Sequence, residues 1–289
     1  MLDQRERTIN HPQPSGRRSP AALQALREVA ITLVVTGAYF LTRGLIRGKA
    51  HAAIAHATAL LALERRLHIA PEQRLQAFAL HHLLLVHAAD TVYLAAHLPV
   101  LIGVAIWLYH WRSRAYRFFR TAFLCSALIG LSVYVLYPVA PPRFLPGFVD
   151  TMQRYGFNVD GSAAGPFYNP YAAVPSLHVA WALLAGVAVA TCARPRWVRI
   201  LGVALPVIMV LAVVVTGNHF LLDVLSGCAV TAVALLLARW WSLLRQKGEV
   251  VTNRDRESAR SPARGGVRIG PADHPFLRRC GSSCLRRNS

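Results

Sequence analysis

The chain has 289 residues and a formal net charge of +19, yet it is 54% hydrophobic and only 16% charged, with a mean hydropathy of +0.37. A soluble domain carries about a quarter charged residues, so the composition argues against an ordinary water-soluble fold and for the membrane. The charge does not read as a nucleic-acid footprint, because arginine fills the two tails and the short loops between apolar stretches, and lysine occurs only at Lys49 and Lys247.

Residues 1–24 are polar and proline-containing, the composition of a disordered tail, and no apolar core follows the early charges closely enough for a cleavable signal peptide. Residues 28–46 form a first span, short against the roughly 20 residues a span needs. The stretch "AHAAIAHATALLALERRLHIAPEQRLQAFAL" is amphipathic, with Glu64, Arg65 and Arg66 interrupting the apolar positions, and reads as helices lying at the interface. A second span covers residues 89–109. The basic loop "HWRSRAYRFFR" leads to a third at 118–138, and residues 139–171 form a polar loop rich in Pro, Gly and Asn. Further spans follow at about 174–192, 199–216 and 219–241. From Gln246 the chain is arginine-, serine- and glycine-rich.

The expected architecture is therefore all-α: an integral membrane domain of six transmembrane helices with an interfacial segment over residues 25–245, between disordered tails at 1–24 and 246–289. The basic clusters before span one, between spans two and three, between spans four and five, and in the final tail all fall on one side, the cytoplasm by the positive-inside pattern. The connection between spans one and two carries arginines as well. The 139–171 loop and the turn between spans five and six then face outward. Cys125, Cys192 and Cys228 read as small buried hydrophobes, and the CxxxC of Cys280 and Cys284 lacks the second ligand pair of a zinc site. His81, His82 and His87 read as interfacial, Tyr93 as a belt aromatic, and His97 as a packing or hydrogen-bonding residue.

Acidic residues are scarce where the chemistry would lie. Between Gly161 and Gly248 the only one is Asp223, four residues after His219, and positions i and i+4 share a helix face. The topology brings three pieces to one outward face: Arg143 in "PVAPPRFLPG", Ser176 and His178 opening span four, and His219 with Asp223 opening span six. That set suits an anion such as a phosphate. Arginine binds phosphate oxygens bidentately, and a helix amino end offers N–H groups and a positive dipole. Pro175 fits a first helical position, where its missing N–H costs nothing.

Two histidines allow two roles. His219, oriented and made more basic by Asp223, can attack phosphorus. His178 can protonate the leaving alcohol and later activate the acceptor. Asn169 and Tyr171 either line the site or form a turn at "NPY", and Asn218 is a further candidate for its lining. Two other classes compete: a metal site of His178, His219 and Asp223, and a non-enzymatic transporter with a His–Asp proton relay. The second should show inverted repeats and charged groups near the bilayer midplane. No such repeat is visible.

"VPSLHVAW" and "TGNHFLLDVLSG" resemble the second and third signatures of the type 2 phosphatidic acid phosphatase superfamily. These are integral-membrane, metal-independent lipid phosphatases and phosphotransferases, usually with six spans. "YPVAPPRFLPGFVDT" and "NPYAAVPSLHVAW" are similar to the first two motifs of the branch containing fungal inositol phosphorylceramide synthase and its bacterial relatives. The resemblance covers about residues 50–240. It implies a phosphohistidine mechanism with His219 as nucleophile and His178 as general acid, with Arg143 and Ser176 on the phosphate. It further implies a lipid phosphate substrate in the bilayer, water, an alcohol or inositol as acceptor, and no metal or other cofactor. The chain departs from the wider superfamily's KxxxxxxRP and SRxxxxxHxxxD. Leu136 stands at the lysine position, Phe144 follows Arg143, and Ala212 and Val213 replace Ser and Arg. Two phosphate-binding cations are thus missing, which favours the synthase-like branch, where a phosphodiester substrate carries less charge.

Overall fold

The computed structural model describes residues 49–155 and 171–260, with scattered helical positions between 23 and 41, and side chains as far as Lys247. Much of the expected first span, and the whole of Asn169, lie outside the described residues. The chain divides into two units, residues 1–243 and 244–289.

The helices are α1 (Ala50–Arg66), α2 (Glu72–Leu80), α3 (Leu83–Trp111), α4 (Ser113–Leu136), α5 (Leu177–Cys192), α6 (Arg196–Val215) and α7 (Leu221–Arg260). Within α3, a π-helical turn spans Val92–Ala96. It precedes Pro99, which has no N–H to give and whose ring crowds the carbonyl four residues back. Among the described residues there are no strands, only an isolated parallel bridge between Val139 and Ala172.

Among the described residues, four helices are long and apolar enough to cross a membrane: α3, α4, α6 and the Leu221–Lys247 part of α7. Six spans were expected. With 16 residues, α5 is apolar but falls short of the usual length. Large apolar side chains stand outward on these helices, among them Leu98, Ile106, Ile200 and Val203. That pattern suits a hydrocarbon solvent better than water.

Glycines set how closely the helices meet. A Cβ at Gly186 would lie 2.5 Å from the Gly202 carbonyl oxygen, so α5 and α6 touch backbone to backbone. A Cβ at Gly227 would lie 2.5 Å from the carbonyl oxygen of Ser176, so α7 crosses the very start of α5.

Three local expectations are corrected. Pro175 is not in the first helical position. Ser176 is the N-cap and its Oγ accepts the Val179 N–H at 3.4 Å, while its own N–H donates to the Asp223 carbonyl at 3.1 Å. The bond to α7 holds Ser176 outside the helix, which is the backbone geometry a cap needs. Second, α7 continues past residue 245, where a disordered tail was expected, to Arg260. Gln, Lys, Glu, Arg and Ala sustain it, and Pro262 lies just beyond its end. Third, the charges of "LERR" do not all interrupt an interfacial face. Ala53, Ala57, Leu61 and Glu64 form one buried stripe on α1, and of the three charges only Arg65 and Arg66 are exposed.

Candidate functional site

The last turn of α6 builds the platform. The Gly217 N–H donates to the Val214 carbonyl and the Asn218 N–H to the Val213 carbonyl, both at 3.0 Å, the double bond of a Schellman cap. Gly217 has φ +67, and a Cβ there would meet Gln76 Nε2 at 2.9 Å and the Val149 carbonyl at 3.2 Å. The turn thus needs glycine for both its backbone and its surroundings. It delivers His219 to the mouth of α7.

Asp223, in the first turn of α7, reaches back twice. Its Oδ2 accepts the Phe220 N–H at 2.8 Å and lies 3.3 Å from His219 Nδ1. The first contact caps the helix and the second orients the imidazole, leaving Nε2 to face outward from the pair. His219 is 3% exposed and Asp223 fully buried.

The His178 ring, in the first turn of α5, lies 5.9 Å from that of His219, centroid to centroid. Ser176 takes the Val179 N–H, and the Leu177 and His178 N–H groups stand at the helix's amino end, where no intrahelical partner exists. The His178 ring also neighbours the Tyr93 ring at 4.4 Å and the His97 ring at 5.0 Å, both from α3. His97, read from the sequence as a packing residue, thus stands beside His178. Its buried Nε2 has no hydrogen-bond partner among the described residues.

Arg143 sits in a short 3-10 turn, Pro142–Phe144, whose N–H donates to the Gly217 carbonyl at 2.9 Å. Its Nη1 donates to Asn218 Oδ1, its Nε lies 3.1 Å from Asp150 Oδ2, and its guanidinium stands 5.0 Å over the Phe144 ring. Asn218 in turn donates to Thr216 Oγ1 at 2.7 Å. So Asn218, the residue before His219 in the chain, orients Arg143. Tyr171 packs edge-on against Phe144 at 6.3 Å, and its carbonyl accepts the Val139 N–H. Both links tie its loop to the Arg143 segment.

Several residues that organise the site were missed. Asp150 caps the turn Thr151–Arg154 through Oδ1 while its Oδ2 faces Arg143, and Thr151 donates to the buried Asp90 at 2.7 Å. Gln76 donates to the carbonyls of Val149 and Val215 and accepts the Val149 N–H. Glu72 Oε1 accepts the Leu221 N–H and Glu64 Oε1 the Leu222 N–H, each at 2.7 Å. The two segments read as interfacial therefore clamp the amino end of α7. Burial pushes the Glu64 carboxyl up to about 8, opposed by its Leu222 hydrogen bond and reinforced by Glu72 and Asp223. One signal was available: Glu72 and Gln76 share a face at spacing i, i+4.

At the departures from the superfamily motifs, Leu136 is largely exposed, Ala212 is buried, and Val213 is buried among apolar neighbours. Among the described residues no group of three or more His, Cys, Asp or Glu is placed to hold a metal ion.

The fold and these motifs define a multi-pass membrane protein. A family model, the PAP2 superfamily, matches residues 58–237, and the chain belongs to that superfamily. It is 30% identical over 175 residues to the phosphoinositol dihydroceramide synthase of Bacteroides thetaiotaomicron, a match covering 52% of this chain and 54% of that protein. The chain thus spans about half the length of this curated relative. No solved structure matches it.

Proposed function

We propose that the chain is a membrane enzyme that cleaves a lipid phosphoester, as a phosphatase or phosphotransferase, and carries the phosphoryl group on His219. The observation behind the reading is the buried His219–Asp223 pair at 3.3 Å with the His178 ring 5.9 Å away. Membership of the PAP2 superfamily supports it.

In the first step His219 Nε2 forms a bond to phosphorus as the ester oxygen leaves, and protonated His178 gives that oxygen its proton. Asp223 holds the Nδ1 proton and stabilises the positive ring. Arg143, steadied by Asn218 and Asp150, and the amino end of α5 receive the phosphoryl oxygens. In the second step an acceptor hydroxyl attacks phosphorus, His178 takes its proton, and His219 departs. The acceptor is water or an alcohol. The name of the Bacteroides relative favours an inositol-containing phosphoester and a ceramide-type lipid. Apolar residues at positions 136, 212 and 213 suit a phosphodiester of low charge. The arginine distribution supports six spans with the site on the extracytoplasmic face. A transporter relay would want its ionisable groups midway along the spans. His178 and Asp223 stand instead in the first turns of their helices, and His219 just ahead of one.

The test is to give purified protein a panel of prenyl, glycerolipid and inositol phosphoesters, with and without a lipid alcohol, and to identify products by mass spectrometry. Hydrolysis or transfer with at least one class is expected, and no turnover of any would refute the reading.

A further inference from the structure

Glu64 on α1 and Glu72 on α2 are 0% and 1% exposed, an unusual depth for two carboxyl groups. Each spends one oxygen on α7, Oε1 of Glu72 on the Leu221 N–H and Oε1 of Glu64 on the Leu222 N–H. Each keeps a second, buried oxygen that no other described donor reaches. Glu72 is also within hydrogen-bonding reach of Glu64. Two carboxylates side by side in a buried site cannot both be ionised without a large penalty, and a bare buried oxygen is costly. One proton shared within the pair relieves both costs, because a protonated carboxyl donates and its neighbour accepts.

We propose that Glu64 and Glu72 share one proton, and that this carboxyl pair is the positioning device that holds the amino end of α7, and with it His219 and Asp223, in place. The role assigned to His219 rests on the function proposed above; the shared proton does not. Asp223 on α7 faces the pair, with His219 beyond it. Gln76, one turn further along the same face of α2, holds Val149 and Val215. Arg143 and Asp150 are engaged with each other, and Arg65 turns outward to Gln73 at 3.3 Å.

The sign of the pH effect follows. Burial raises Glu64 from 4.5 to about 8. Its contribution to stability is full below about 4.5 and is lost as the pH rises through about 8. Above that, two anions repel beneath the helix that carries Asp223.

The experiment uses the full chain in lipid vesicles, with two readouts. Infrared spectroscopy follows the carbonyl stretch of a protonated carboxyl. A band titrating away near pH 8 and missing from E64Q is expected, and a wild type lacking that band at pH 7 overturns the proposal. The second readout is the pH profile of turnover. E64A should lower kcat about tenfold with KM little changed. E64Q, whose amide imitates the protonated carboxyl, should restore kcat at pH 7 and lose the alkaline fall. An alkaline limb in E64Q equal to that of the wild type overturns the positioning role. A wild type inactive on every phosphoester but showing the titrating band counts against the proposed function, not against the shared proton.

Discussion

Replacing Arg143 by lysine keeps the charge and removes the fork. The guanidinium uses Nη1 on Asn218, holds Nε 3.1 Å from Asp150, and stands over Phe144 at 5.0 Å. These contacts fix its plane, and that preorganisation is what the proposed reception of phosphoryl oxygens requires. A lysine ammonium, one compact donor group on a flexible stem, can satisfy Asp150 or an incoming oxygen, but cannot present two parallel N–H groups. Leu136 and Val213 supply no second cation at the superfamily's other basic positions. Losing one preorganised donor to developing charge costs about 2.7–4 kcal/mol, and a factor of ten in rate is about 1.36 kcal/mol. Arg143→Lys should therefore lower kcat/KM by about 100-fold to 1,000-fold. The fall should lie mainly in kcat, since the fork matters most as charge builds. The assay is steady-state turnover of the best substrate from the panel, alongside a thermal melt to show that the variant is folded. A folded Arg143→Lys within about threefold of wild type would refute this reasoning, because one charge without geometry would then suffice.

The two histidines separate by trapping. With an ester of good leaving group such as p-nitrophenyl phosphate, His178→Ala should accumulate an acid-labile phosphoenzyme and His219→Ala should show none; the reverse pattern would exchange their roles, and none in either would favour direct transfer. Gly227→Ala should destabilise the protein by about 1–3 kcal/mol, since its Cβ would lie 2.5 Å from the Ser176 carbonyl oxygen; a thermal melt equal to wild type would mean that α5 and α7 yield freely. For topology, a cysteine at Gly161 should react with an impermeant thiol reagent on intact cells and one at Pro195 should not; the opposite pattern would put the site in the cytoplasm.

Hydrophobic length and i, i+4 spacing are local properties, and what depends on them was legible from the residues alone. The span read at 199–216 is the helix Arg196–Val215, and the one read at 219–241 opens α7 at Leu221. His219 and Asp223 were paired by spacing, and the structure brings them to 3.3 Å. The alternation of loops led to the expectation that Arg143 and His178 stand with them; the structure puts the His178 ring 5.9 Å from that of His219 and Arg143 on Asn218. Tertiary structure decided the rest, because the deciding contacts join distant parts of the chain. Glu72 meets Leu221 across 149 positions and Glu64 meets Leu222 across 158, so nothing near "LERRLHIAPEQ" could show that its acids face a helix end instead of water. The same holds for Asp150, whose bond to Arg143 exists only once the Gly217 turn has brought the loop over α6. It holds for His97, whose place beside His178 depends on how α3 lies against α5. A carboxylate on an amphipathic helix looks alike in sequence whether it meets solvent or another carboxylate, and only the packing of α1 and α2 against α7 removed the water.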